Sequence, residues 1–187
     1  MSKPKLFMMC GVSGSGKTTF ARRFAEDCRL RYINPDNFYA LYNGDECKHE
    51  HEFEIWMALF RALHMAEQDG VDVMFDTNAP TIVDRTQILD WFPGFEPHLI
   101  CVMAPPEICI SNNKARRRVV PDDVIKQMLR SAETPTKNES RWQSITWLQN
   151  NHNNGFELVH RFNNSKTIPV TRIHIAHIND EIRAEKE

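Results

Sequence analysis

An α/β fold, a parallel sheet of about five strands with helices on both faces, is predicted by three observations. Short apolar runs alternate with stretches of helical periodicity along most of the chain. The crossovers between runs are well over ten residues long, as parallel strands require. Polar residues follow the carboxyl end of one run after another, at Gly11 to Thr19, at Asn34 to Asp36 and at Asp76 to Asn78. In an open parallel sheet the ligand crevice lies at that edge.

The first apolar run is Leu6 to Cys10, and it enters a stretch that fits GxxxxGK[ST] at Gly11, Gly16, Lys17 and Thr18. A helix follows, with Phe20, Ala21, Phe24 and Ala25 on one face and Arg22, Arg23, Glu26 and Asp27 opposite. Arg31 to Ile33 is a short second strand, and Pro35 and Asp36 signal a loop beyond it. From His51 to Gln68, Phe53, Trp56, Met57, Phe60, Leu63 and His64 recur at three and four, predicting an amphipathic helix with that aromatic stripe in the core. Val71 to Phe75 is a third strand, and Pro80 and Thr81 open a helix to Phe92.

His98 to Met103 is the next strand, followed by a helix through Cys109 and Asn112 that reaches the basic cluster Lys114, Arg116, Arg117 and Arg118. Pro121 starts another helix, to about Ala132, with Val124, Ile125, Met128 and Leu129 inward. Between Glu133 and Asn154 the signal weakens, and Trp142, Ile145 and Leu148 suggest a helical face. Gly155 to Phe162 reads as a last strand of the sheet, Ile168 to Ile178 as a candidate for one more, and 179–187 as a frayed charged tail.

With 187 residues, 41% of them hydrophobic, the chain reads as a single domain with a full core. A net charge of -2 excludes a generic nucleic-acid coat, so any polyanion must be held by local basic patches. No run approaches 18 apolar residues, and Met1 to Lys5 lacks a signal peptide's apolar region, so a soluble cytoplasmic protein without a membrane partner is expected. Cys10, Cys28, Cys47, Cys101 and Cys109 form no CxxC pair and are expected to be reduced, mostly buried thiols. Cys47, His49 and His51 are too closely spaced to complete a tetrahedral metal site. His64 and His98 read as structural histidines, and Trp142 and Trp147 as core.

The glycine-rich stretch has a specific chemistry. Glycines let successive backbone N–H groups of Gly11, Ser13, Gly14, Ser15 and Gly16 turn inward, and a helix beginning at Lys17 adds its own unpaired N–H groups. Such a cradle takes the phosphates of ATP: Lys17 reaches the β and γ phosphates, Thr18 is the Mg2+ ligand and Thr19 lies alongside. The stretch marks the fold as that of a P-loop NTPase.

Four blocks in this order and spacing resemble the kinase domains of the polynucleotide kinase group of P-loop kinases, including phage-type 5'-hydroxyl kinases. They are residues 11–21, Ile33 to Asp36, Asp76 to Asn78, and Arg117 to Ile125. The resemblance covers roughly residues 5 to 130. It implies an ATP-dependent kinase acting on a hydroxyl of a nucleic acid, DNA before RNA, with Asp36 as general base. It places Asp76, with Thr77 and Asn78 beside it, in the acceptor site, and a small basic lid at 112–121 over the triphosphate. Arg116 is the favoured catalytic arginine of that lid and Arg118 the second.

Asp36 and Asp76 have capping roles as their structural alternatives. One departure bears on the acceptor. The group carries an arginine three residues after its base, gripping a 3' phosphate, and this chain has Tyr39 there. A tyrosine stacks on a base or donates one hydrogen bond, which leaves open a hydroxymethyluracil base in phage DNA, or a nucleoside or other small molecule, as the acceptor. A nucleotide-dependent switch is the reading from another class, and it lacks the Asn-Lys-x-Asp signature of guanine binders.

Overall fold

The computed structural model describes residues 2–45, 50–116, 119–151 and 155–163. The strands are β1 (Lys5–Cys10), β2 (Arg31–Ile33), β3 (Val73–Phe75), β4 (Glu96–Met103), β5 (Ser144–Asn150) and β6 (Phe156–Asn163). The helices are α1 (Lys17–Cys28), α2 (Pro35–Asn43), α3 (Glu52–Gln68), α4 (Ile82–Trp91), α5 (Pro106–Lys114) and α6 (Asp122–Ser131). One sheet contains all six strands in the order β2-β3-β1-β4-β5-β6. β2 to β5 and β1 pair in parallel, and β6 alone runs antiparallel, on β5. The α/β class therefore holds, with six strands in place of about five.

Alternation along β1 divides the core. Leu6, Met8 and Cys10 face a layer with Leu59 and Leu63 of α3 and Ile88 and Leu89 of α4. Phe7 and Met9 face the other layer, against Phe20, Ala21 and Phe24 of α1. The chain leaves β1 toward β2 and leaves β4 toward β5, so adjacent strands diverge at β1/β4 and open the crevice where the glycine-rich stretch sits.

Three expectations are corrected. Pro35 and Asp36 do not lie in a loop: Asn34 caps α2, accepting from the Asp36 N–H at 2.7 Å, and Pro35 occupies the first helical position. In α3 the buried residues are Ile55, Leu59, Leu63 and Ala66, while Phe53 (75% exposed), Trp56 (37%) and Met57 (52%) face outward. That helix is apolar on more than one side, and packing against α2 and the sheet selects the aliphatic stripe over the aromatic one. Finally, Ile145 and Leu148 belong to β5, a strand whose residues are nearly all buried. With both faces covered it shows no period-two alternation, and its three-residue spacing imitates a helix. Trp142 and Trp147 are core residues as expected.

The possible strand at 168–178, the tail at 179–187, and Cys47 and His49 lie outside the described residues. Cys10, Cys101 and Cys109 are buried thiols and Cys28 is a half-buried one. His98 is a satisfied core histidine, between Ser144 Oγ at 2.9 Å and Glu96 Oε1 at 3.1 Å, and burial lowers its pKa to about 4. His64 instead lies on the surface of α3, near Glu67 and Gln68. Among the described residues no helix is long and apolar enough to cross a membrane.

Candidate phosphate cradle and acceptor rim

The loop between β1 and α1 is built on positive-φ glycines: Gly11 at 142°, Gly14 at 80° and Gly16 at 98°. Space as well as backbone angle demands glycine here. A Cβ at Gly14 would stand 2.1 Å from the Cys109 carbonyl oxygen of α5, and one at Gly16 would stand 2.5 Å from Asn150 Nδ2. Two asparagines hold the loop from outside. Asn112 donates to the Gly14 carbonyl and Asn150 to the Ser15 carbonyl, each at 2.9 Å. The Gly11 and Ser15 N–H groups do not turn inward as expected, since they bond the Asn78 and Val12 carbonyls, and the N–H groups of Ser13, Gly14 and Gly16, without a hydrogen bond among the described residues, are left for an anion. Ser15 Oγ is fully buried and has no hydrogen-bond partner among the described residues, a polar atom that a phosphate oxygen would satisfy.

Lys17 opens α1 and is 6% exposed, with Nζ donating to the Val12 carbonyl at 2.7 Å. Burial lowers its pKa to about 8, Arg116 adds to the drop, and Asp76 and Cys10 oppose it. Thr18 is half-buried and Thr19 exposed in the same first turn, and Ser13 is buried in the loop. Gly11 to Thr19 thus form one continuous loop and helix start.

Asp76, just past β3, is 4% exposed. Its Oδ2 accepts from Asn34 Nδ2 at 2.6 Å and from the Tyr32 hydroxyl at 2.7 Å, while Oδ1 has no hydrogen bond among the described residues. The neighbouring carboxylate holds the Tyr32 phenol well above its usual pKa, with burial the larger cause. Because Asn34 also receives the Asp36 N–H, one amide ties the turn after β2 to the turn after β3. The Gly11 N–H bonds the Asn78 carbonyl at 3.0 Å, tying the turn after β3 to the glycine loop. Three strand ends, β2, β3 and β1, are adjacent in that order and stitched together.

Asp36 is half-buried in the first turn of α2. Its strand lies two places from β1, roughly 10 Å across the sheet. Thr77 is half-buried and Asn78 exposed on the same edge. Tyr39 does not face the crevice as expected for base stacking. It is 7% exposed, with its hydroxyl 3.5 Å from Glu52 Oε1, because α2 packs it toward α3.

Arg116 is exposed just after α5 and lies close enough to Lys17 for charge repulsion. The segment it belongs to is clasped at its base: Asn113 Nδ2 donates to the Val120 carbonyl at 2.7 Å and the Val120 N–H returns to Asn113 Oδ1 at 3.0 Å. Arg117 and Arg118 lie outside the described residues. Asn34, Asn112, Asn113 and Asn150 were not singled out by sequence. Each acts through one or two amide bonds fixed by tertiary placement, and only the position of Asn34 before Pro35-Asp36 carried a local signal, that of a helix cap.

Arg85 supports the edge from below. Fully buried, it makes a two-bond pair with Glu139 at 2.8 and 2.7 Å and donates to the carbonyls of Ala79 and Pro80 at 3.3 Å. Ala79 has a φ of 37°, a conformation that a non-glycine residue holds only when its surroundings enforce it.

Solved structures share this architecture. A chain of the Pnkp1/Rnl/Hen1 RNA repair complex aligns with a TM-score of 0.63 and 18% identity over 70% of this chain, which spans only 44% of that chain. Kti12 from Chaetomium thermophilum, in complex with ADP-AlF3, aligns with a TM-score of 0.61 and 15% identity, covering 95% of this chain and 96% of that one. A gluconokinase from Sinorhizobium meliloti 1021 aligns over the whole of both chains, with a TM-score of 0.53 and 15% identity. At these identities the likeness is one of fold. No curated protein matches the sequence. A family model does: residues 6–135, which include the cradle, both aspartate turns and α6, match the AAA domain family, and the chain belongs to it.

Proposed function

We propose that the chain, as a single domain, is an ATP-dependent phosphotransferase that moves the γ-phosphate onto a hydroxyl of a nucleic acid. The observation that carries this reading is the stitched edge, in which Asn34 and the Gly11–Asn78 bond join the Asp36 turn, the Asp76 turn and the glycine loop. In this reading Lys17 and the open loop N–H groups hold the phosphates, with the unpaired Ser15 hydroxyl donating to a phosphate oxygen. Thr18 and the open Oδ1 of Asp76 fit a magnesium ion, directly or through water, and the ion would neutralise charge on the phosphate oxygens. Asp36 orients the acceptor hydroxyl and takes its proton as the oxygen bonds phosphorus. Arg116, with Arg118 second, meets charge on the leaving oxygen.

A small polar acceptor is the second reading, and two observations favour it. Tyr39 is buried where a 3'-phosphate-gripping cation would be wanted, and the gluconokinase likeness extends over both full chains. A hydroxymethyl group on a modified uracil base is an intermediate case. Transfer from γ-labelled ATP to a panel of 5'-hydroxyl oligonucleotides, hydroxymethyluracil duplexes, tRNA, nucleosides and sugars tests all three. Label on an oligonucleotide supports the first reading, label only on a small molecule replaces it, and no label on any acceptor removes both.

A further inference from the structure

We infer that Cys10 and Cys101 form a redox modification site, a disulfide across the ends of β1 and β4 that closes the phosphate cradle. The two residues are register partners on adjacent parallel strands. Both side chains belong to the same core layer, and Arg85 Nη1 stands 3.8 Å from Cys10 Sγ. Both line a cavity of about 160 Å3 that reaches solvent and is also lined by Gly11, Val12, Glu133 and Thr134. A small peroxide therefore has a path to sulfur atoms that strand pairing otherwise hides.

The two thiols are not equivalent. The neighbouring Cys101 thiol pulls the Cys10 pKa down, with help from the positive charges of Arg85 and Lys17, while the Cys10 thiol and burial push Cys101 up. Cys10, the sulfur that the Arg85 guanidinium contacts, is the one that attacks. Its thiolate displaces alkoxide or hydroxide from the peroxide O–O bond, giving the sulfenic acid, and the peroxide is reduced. Cys101 then attacks that sulfur, its proton leaves with the hydroxyl as water, and the S–S bond forms.

Neighbouring strands stand about 4.8 Å apart, a Cα separation that a disulfide spans, but the bond needs the Cβ atoms at about 3.8 Å, so the two strand ends must twist to turn these side chains toward each other by about 1 Å. There is no slack to absorb this. Gly11 follows Cys10 directly, and even a Cβ there would lie 2.5 Å from the Val102 carbonyl oxygen of β4. Its N–H is anchored the other way, on Asn78. The displacement passes into Gly11 and the loop after it. This consequence rests on the nucleotide-binding reading of the loop, whereas the bond itself does not.

The test treats the full reduced chain with a small excess of hydrogen peroxide, maps its cysteine peptides by mass spectrometry, and titrates it with a fluorescent ATP analogue and Mg2+. The expected result is a Cys10–Cys101 linked peptide with a mass loss of about 2 Da. Affinity should fall at least about tenfold and return with dithiothreitol, while Cys101→Ser binds as the unmodified protein does and forms no such link. Cys101→Ala replaces that variant if the serine is not tolerated in the core. Unlinked Cys10 and Cys101 peptides after treatment, or a linked pair with unchanged affinity, would overturn the proposal. Failure of the reduced protein to bind the analogue would overturn the nucleotide reading and the closing of the cradle, while the peptide map still decides whether the bond forms.

Discussion

Replacing Lys17 with methionine should make the protein more stable while removing its affinity for Mg-ATP. A fall in pKa from the ordinary 10.5 to about 8 corresponds to about 3 kcal/mol of unfavourable burial for the ammonium form. Below pH 8 the lysine is protonated in both folded and unfolded chains, and the whole cost is present. Between pH 8 and 10.5 the unfolded chain keeps a proton that the folded protein has shed, so stability rises with pH and the cost disappears. Methionine escapes the cost but loses the charged bond to the Val12 carbonyl, worth about 2 kcal/mol. The net gain is about 1 kcal/mol at pH 7, or roughly 0.5 M in the urea midpoint for a slope near 2 kcal/mol/M. It should shrink above pH 8 and vanish near pH 9. Urea unfolding at 25 °C across that range is the assay. A methionine variant that is no more stable than the parent at pH 7, or whose advantage persists unchanged at pH 10, would refute the assignment of Lys17 as a buried, unfavourably placed charge.

Asp36→Asn should bind Mg-ATP normally and lose about 100- to 10,000-fold in transfer rate, measured in single-turnover assays with the acceptor that the panel identifies. Asn34→Ala should lower kcat by at least tenfold with little change in ATP affinity, and destabilise by about 1–2 kcal/mol through the lost cap, because one amide serves both aspartate turns. Glu139→Gln leaves the buried Arg85 charge poorly compensated and should cost about 3–5 kcal/mol. Arg85→Met with Glu139→Leu should cost less than the two single changes added together, as read from a urea double-mutant cycle. Proton uptake on Mg-ATP binding should be about half a proton at pH 8 and about a tenth at pH 7, because bound phosphate drives Lys17 fully to its charged form. Calorimetry in buffers of different ionisation enthalpy measures this.

Much of the site is legible in the sequence because it is local. Gly11 to Thr18 specifies a turn, a helix start and a charge within eight residues, and nothing distant is needed to recognise it. Asp76 and Asp36 are legible because both follow strands, and the order of strands puts their ends beside the loop. What stays hidden depends on tertiary choice. α3 carries two apolar stripes, and only the surfaces of α2 and the sheet determine that Leu59 and Leu63 turn inward and Phe53 and Met57 outward. β5 reads as helical because burial on both faces removes alternation. The asparagines are the clearest case: Asn112 and Asn150 lie 98 and 135 residues from the carbonyls they hold.

These asparagines also explain how a cradle so poorly satisfied on its own can keep its shape. Inside it, the ammonium of Lys17 meets a carbonyl in place of a carboxylate, and Ser15 Oγ meets nothing among the described residues. Such a loop would be expected to collapse onto its own donors, since each unmet buried group costs about 1–3 kcal/mol. The bonds that prevent collapse come from outside, from α5 through Asn112, from β5 through Asn150 and from the Asp76 turn through the Asn78 carbonyl. That turn is in turn held by the fully buried Arg85, which pairs with the half-buried Glu139. Stability is thus concentrated behind the loop and deficit within it, an arrangement that leaves the N–H groups of Ser13, Gly14 and Gly16 open to an anion before one arrives. The same division predicts where substitutions separate the two properties: at Lys17 stability rises as binding is lost, whereas at Arg85 both fall together.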